Sequence, residues 1–185
     1  MNNYYFVIDS PIGQLHLIST EKKLSGIFHS LERRKASHVN NRDFINDKNI
    51  IIEKTIFQLS EYFAGKRKNF NIPLELSGTN FQLKAWNALK KIPYAKTVSY
   101  SEQAKIIGNP KATRAIGNAN NANPISIIIP CHRVIRSDGG LGGYSGGGPD
   151  VKNILFDLEA EIKSNRHSKL LSQRWLPGSS LGHTL

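Results

Sequence analysis

The chain has 185 residues, enough for one large domain or two small ones with a core that folds without disulfide or metal staples. Its single cysteine excludes an internal disulfide and a cysteine-rich zinc site, so no metal is expected and a reduced, cytoplasmic setting is. Lys and Arg number 25 against 14 acids, a net charge of +11 that favours a polyanionic partner, whereas no apolar run reaches membrane-spanning length and no membrane partner is expected.

Residues 4–8 and 14–19 read as strands joined across Ser10-Pro11-Ile12-Gly13, and 24–29 pairs next after a polar turn, giving an antiparallel meander. A polar stretch over 32–41 leads to a helix near 49–64, with Ile52, Ile56, Leu59 and Phe63 on one face and Gly65 as its stop. The charge balance changes at Ser77-Gly78, which divides the chain into an N-terminal domain (1–76) and a C-terminal one (77–163). A basic tail follows (164–185), which either frays or docks.

The second domain opens on Thr79-Asn80-Phe81-Gln82, a reciprocal capping pair before the apolar face Phe81, Ala85, Leu89 and Ile92. Ser99-Tyr100-Ser101-Glu102 repeats that signal and starts a short helix ended by Gly108. Asn109-Pro110 is then expected to cap and start another helix, and two short helices about a Gly-Asn turn suggest helix-turn-helix. Ala112, Ala115, Ile116 and Ala119 of the second helix point toward a core. Lys111, Arg114, Asn118 and Asn121 share the other side, a face without acids that suits phosphate contact and insertion into a groove, or simply solvation.

Asn123-Pro124 ends that helix, and Ile125 to Ile129 reads as a short buried strand that delivers Pro130-Cys131-His132-Arg133-Val134. A thiol so placed, beside a base and a cation, is a candidate nucleophile; the same thiol also suits a purely structural role as a small hydrophobe. The glycine-rich stretch 139–148 contains Tyr144-Ser145 and lacks the Lys-Ser/Thr pair of a Walker phosphate loop, which favours a ligand-facing loop. Pro149-Asp150 starts the last helix, with Val151, Ile154, Leu155, Leu158 and Ile162 on its apolar side and Glu159 at the edge, where a carboxylate either meets water or orients His132.

These residues resemble the O6-alkylguanine-DNA alkyltransferases, the methylated-DNA-protein-cysteine methyltransferase family. The likeness rests on Pro130-Cys131-His132-Arg133-Val134, Asn123-Pro124, Tyr144-Ser145-Gly146-Gly147, Ser99-Tyr100, Gly108-Asn109-Pro110-Lys111-Ala112 and Arg114-Ala115, strongest over 79–160. It implies an α/β protein with a ribonuclease-H-like N-terminal domain and a mostly helical C-terminal domain carrying the helix-turn-helix. Its implied partner is double-stranded DNA containing O6-alkylguanine, with O4-alkylthymine a further substrate, bound by a monomer without cofactor. Cys131 would take the alkyl group once, after the base is flipped out. His132 would accept its proton through water, Glu159 would orient His132, Tyr100 would donate to the leaving base, and Asn123 would brace the cysteine. Arg114, Lys111, Asn118, Ser99 and Tyr100 would meet DNA; Val134, Tyr144 and Ser145 would line the base pocket. Ala95 departs from the glycine that the family often has there, and 147–150 is one residue longer than in some relatives.

Two other readings share parts of this pattern. A cysteine hydrolase would use Cys131, His132 and an acid but leaves the basic helices unexplained. A DNA-binding sensor or regulator explains the helices and makes the Pro-Cys-His-Arg run incidental.

Overall fold

A computed structural model describes residues 2–30 and 44–164, and the side chains up to 161. The polar stretch over 32–41, the side chain of Ile162 and the tail beyond 164 thus lie outside the described residues.

Among the described residues the N-terminal domain is a four-stranded sheet with a helix across it. Strands β1 (Asn3–Ile8), β2 (Leu15–Thr20) and β3 (Leu24–Phe28) form the expected meander, with Ile8 opposite Leu15. Gly13 closes the first turn at φ 93°, its N–H 3.0 Å from Ser10 O, a conformation that favours glycine. The sequence pattern missed β4 (Phe44–Ile45), which pairs parallel with β1 in the order β3-β2-β1-β4. Two residues carry too little periodicity to register. Strand β2 is buried along its whole length because helix α1 (Ile50–Phe63) covers one face while Tyr5, Phe28 and Phe44 pack about Ile18 on the other.

Asn49 fixes where α1 begins. Its Oδ1 accepts from Ile52 N at 3.0 Å and from Ser19 Oγ at 3.0 Å, while its Nδ2 donates to Thr20 O at 2.8 Å. One side chain therefore caps the helix and ties it to the end of β2.

Strand β3 is the seam to the rest of the chain. On its free edge Leu24 N donates to Pro73 O (2.8 Å), Glu75 N to Leu24 O (2.8 Å) and Ile27 N to Pro124 O (2.9 Å). The last of these places the N-terminal sheet against the segment that leads into Cys131.

In the C-terminal domain both reciprocal caps form, Thr79 with Gln82 at α2 (Asn80–Leu89) and Ser99 with Glu102 at α3 (Tyr100–Ile106). Gly108 follows α3 at φ 79°, as its position predicts. Helix α4 (Thr113–Asn121) crosses both. It is locked by paired amides, Gln103 Nε2 to Asn120 Oδ1 at 3.1 Å and Asn120 Nδ2 to Gln103 Oε1 at 2.8 Å, and by Trp86 Nε1 donating to Ala119 O at 2.8 Å. Strands β5 (Val98–Ser99) and β6 (Val134–Ile135) pair in parallel, and helix α5 (Gly148–Ser164) closes the domain.

Three expectations are corrected. Helix α4 begins at Thr113 rather than at Pro110, because Asn109 to Ala112 closes a turn through Ala112 N to Asn109 O at 3.0 Å and the proline serves that turn. Ala115 is exposed, so the buried side of α4 is Ile116, Ala119 and Asn120. Residues 125–129 form a turn, with only Ile125 bridging to Ile27 and with Ile129 N donating to Ile125 O at 3.0 Å. Ile127 sits there at φ 72°, a left-handed conformation that costs a side-chain-bearing residue about 1–2 kcal/mol, held by nearly complete burial. Apolar content alone does not separate a buried strand from a buried turn.

Candidate active site

The turn over 125–129 hands the chain to Pro130, and Cys131 opens a single 3-10 turn, Cys131–Arg133. Tight winding there separates the side chains: Cys131 faces a cavity, while His132 and Arg133 both reach Glu159 on α5. Asn123 braces the thiol. Its Nδ2 lies 3.2 Å from Cys131 Sγ and 2.8 Å from Ile129 O, while its Oδ1 accepts from Ile125 N at 3.1 Å. An amide N–H aimed at sulfur favours the thiolate over the thiol.

Glu159, 2% exposed, is the hub behind the cysteine. Its Oε1 accepts from Tyr62 Oη at 2.9 Å and from Arg133 Nη2 at 2.9 Å, and pairs with His132 Nε2 at 2.9 Å. Its Oε2 accepts from Ala95 N at 2.8 Å and from Arg133 Nε at 3.0 Å. Burial alone would raise the Glu159 pKa, but the hydrogen bonds and charges of His132 and Arg133 bring it down to about 2. Glu159 is thus an anion at any working pH.

His132 is 1% exposed, and burial lowers its pKa against the opposing pull of Glu159. The neutral ring must carry its proton on Nε2 to donate to the carboxylate, which leaves the Nδ1 lone pair as the base. That nitrogen is buried and has no hydrogen-bond partner among the described residues. The Arg133 guanidinium is bound to Glu159 and, through Nη1, to Ile92 O at 2.7 Å.

Cys131 opens onto a cavity of about 300 Å³ lined by Tyr100, Gly117, Asn120, Asn121, Gly143, Tyr144 and Ser145. One wall is therefore α4 itself. Tyr100 Oη lies 3.4 Å from Gly143 O, and burial followed by the charge of Cys131 raises its pKa, so it stays protonated. Gly142 sits at φ 66°, and a Cβ there would lie 3.2 Å from Tyr100 Oη. A side chain at this left-handed position would be strained and would crowd that hydroxyl.

The pattern for the DNA binding domain of the 6-O-methylguanine DNA methyltransferases matches residues 80–161, and that for their ribonuclease-like domain matches residues 3–76. The chain belongs to the 6-O-methylguanine DNA methyltransferase family. A methylated-DNA–protein-cysteine methyltransferase of Methanosarcina acetivorans is 46% identical over 160 residues, covering 84% of this chain and 97% of its own. A constitutive one of Bacillus subtilis is 40% identical, with 85% and 95% covered. A crystal structure of Mycobacterium tuberculosis OGT in complex with DNA superposes with a TM-score of 0.77 at 43% identity, covering 86% of this chain and 94% of that one.

The methyltransferase fold brings Cys131, His132, Glu159, Asn123 and Tyr100 together, with Tyr144 and Ser145 in the cavity wall. Val134 is not in that wall. It is fully buried, and its carbonyl accepts from Lys152 Nζ at 2.6 Å. Lys111, Arg114 and Asn118 are exposed, with Arg114 one turn before Gly117 of the cavity rim, whereas Ser99 caps α3 and has its hydroxyl bound to Glu102. No cluster of three or more His, Cys, Asp or Glu suited to a metal occurs among the described residues, and no helix among them is long and apolar enough to cross a membrane.

Two residues of the site were missed. Lys152 is fully buried; its ammonium donates to Val134 O, to Leu141 O and, at 3.5 Å, to Gly143 O, so one charge ties two carbonyls of the cavity loop to β6. Burial brings its pKa down to about 8, opposed by the charge of Cys131. Tyr62 comes from the N-terminal domain. A lysine between Val151 and Asn153 in the first turns of a helix looks solvated in sequence, and nothing local marks Tyr62.

Proposed function

We propose that this protein repairs DNA by moving an alkyl group from O6-alkylguanine, and from O4-alkylthymine, onto Cys131 Sγ, once per molecule, as a cytoplasmic monomer without cofactor. The observation that carries the proposal is the joint placement of Cys131 and the exposed face of α4 on one cavity. A base stacked in duplex DNA cannot present its exocyclic oxygen to a buried sulfur, so the nucleotide must rotate out, at a cost of about a few kcal/mol. Arg114 would fill the gap, with Lys111 and Asn118 meeting the flanking phosphates; their exposure, with Arg114 on α4 one turn before Gly117, supports this.

His132 Nδ1 takes the Cys131 proton through one water, and Glu159 stabilises the imidazolium that forms. The thiolate attacks the alkyl carbon in line; a carbon–sulfur bond forms, the carbon–oxygen bond breaks, and its electron pair returns to the guanine oxygen. Tyr100 supplies the proton that spares the departing base a full negative charge. The thioether has no activated carbonyl and no good leaving group, so the thiol is not regenerated. Incubation with a duplex containing O6-methylguanine should add one methyl to the intact protein and none to Cys131→Ala; binding without modification would support a damage sensor instead, and repeated turnover a hydrolase.

A further inference from the structure

Glu159 is held from both domains, and the hydroxyl it takes from the N-terminal domain is the more surprising contact. Tyr62 lies in the last turn of α1, 97 residues away in sequence, fully buried, with its Oη 2.9 Å from the same Oε1 that pairs with His132. Its ring is clamped by Phe70 with centroids 5.5 Å apart and by Tyr94 edge-on at 6.2 Å, so the hydroxyl has little freedom. We infer that Tyr62 is a positioning residue of the alkyl transfer, through which the N-terminal domain sets the orientation and basicity of Glu159 and hence the proton affinity of His132.

The inference rests on the reading of His132 as the base for Cys131. Its sign follows from sharing. A donor on Oε1 disperses the charge that would otherwise stabilise protonated His132, so Tyr62 keeps His132 unprotonated and ready to accept. The phenol cannot act as an acid itself, because burial and the charge of Glu159 raise its pKa well above the ordinary value. An N-terminal sheet that carries no residue of the cavity wall thereby still enters the chemistry, and β3 holds that sheet in register by hydrogen bonds to Pro73 and Pro124.

The test compares single-turnover methyl transfer by wild type, Tyr62→Phe and Ile18→Ala across pH. In Tyr62→Phe the acid limb of the rate profile should move to higher pH, with a loss of about tenfold at the acid end, the size of one hydrogen bond to a charged group, and a smaller loss at the alkaline end. Ile18→Ala disturbs the N-terminal core on the sheet face away from α1 and Tyr62; it should lower the melting temperature and leave the profile in place. In a Glu159→Gln background, Tyr62→Phe should add little further loss. Where Tyr62→Phe fails to fold, 4-fluorophenylalanine in place of Tyr62 fills the hydroxyl's volume without donating. An unshifted profile in a folded variant, or losses that add fully to those of Glu159→Gln, would overturn the inference. Failure of wild type to accept any methyl would instead overturn the repair reading itself.

Discussion

His132 Nε2 lies 2.9 Å from Glu159 Oε1 with both side chains almost wholly excluded from water, so the ring's tautomer is set by the carboxylate. That one contact leaves Nδ1 with the free lone pair that the proposed transfer needs in a base. Removing the carboxylate's charge has two consequences with different readouts. Glu159→Gln should slow methyl transfer because protonated His132 loses its stabilisation. It should also destabilise the fold by about 3–5 kcal/mol, because the Arg133 guanidinium is left buried without its anion. Single-turnover rates and urea unfolding separate the two; a folded variant with an unchanged rate would remove Glu159 from the mechanism.

The pH dependence follows from the same pair. Glu159 has its pKa depressed from 4.5 to about 2, so its contribution to stability is complete above about pH 4.5 and is lost as pH falls through that window toward 2. His132 is also depressed below 6.5 by burial, so the unfolded chain takes up its proton first and stability starts to fall below about pH 6.5. Thermal melting between pH 8 and pH 2 should therefore show a decline that begins with His132 below about pH 6.5 and steepens with Glu159 below about pH 4.5. The methyl-transfer rate should drop on the acid side of 6.5, where His132 Nδ1 becomes protonated.

Much of this site is legible along the chain because its signals are local. The Thr79–Gln82 and Ser99–Glu102 caps span three residues each, and Cys131 and His132 are neighbours. What is not legible joins distant segments. Tyr62 and Glu159 are 97 residues apart, and Arg133 reads as a helper of the adjacent thiol until Glu159 and Ile92 are seen to hold it. The turn over 125–129 escaped for a different reason, since five mostly apolar residues look alike whether they extend or wind, and only Ile127 at φ 72° decides it.

Lys152 supplies a prediction about the cavity loop. Lys152→Met keeps the length and removes the ammonium, leaving the carbonyls of Val134, Leu141 and Gly143 without that donor. Each buried carbonyl so orphaned costs about 1–3 kcal/mol, enough to loosen residues 141–143. Limited proteolysis there should accelerate and methyl transfer should slow; a loop equally resistant to protease would contradict the clamp.

Ala95 supplies a prediction of the opposite sign. It stands at φ 55° while its N–H holds Glu159 Oε2, so the left-handed backbone costs about 1–2 kcal/mol that glycine would not incur. Glycine adds about 0.4–1 kcal/mol of unfolded-state entropy. Ala95→Gly should therefore range from neutral to about 1.6 kcal/mol stabilising, where such a change elsewhere destabilises, and it should leave the transfer rate intact. A clear loss in melting temperature would show that the strain is not there.

Arg114 separates recognition of duplex DNA from chemistry. It is exposed on α4, one turn before Gly117 of the cavity wall, while Asn123 donates to Cys131 and Glu159 is held by His132, Arg133, Tyr62 and Ala95. Arg114→Ala should slow repair of a duplex much more than reaction with a free O6-alkylguanine base, measured side by side. Equal losses on the two substrates would argue against a part for Arg114 in extruding the base.

The most direct measurement of the central claim is a titration of the protein with duplex carrying a labelled methyl at guanine O6, followed by recovery of the label in protein and mapping to a peptide. Transfer should plateau at one methyl per protein, all of it on the peptide containing Cys131. Label that stays in DNA, appears elsewhere on the chain, or continues to turn over beyond one equivalent would contradict it.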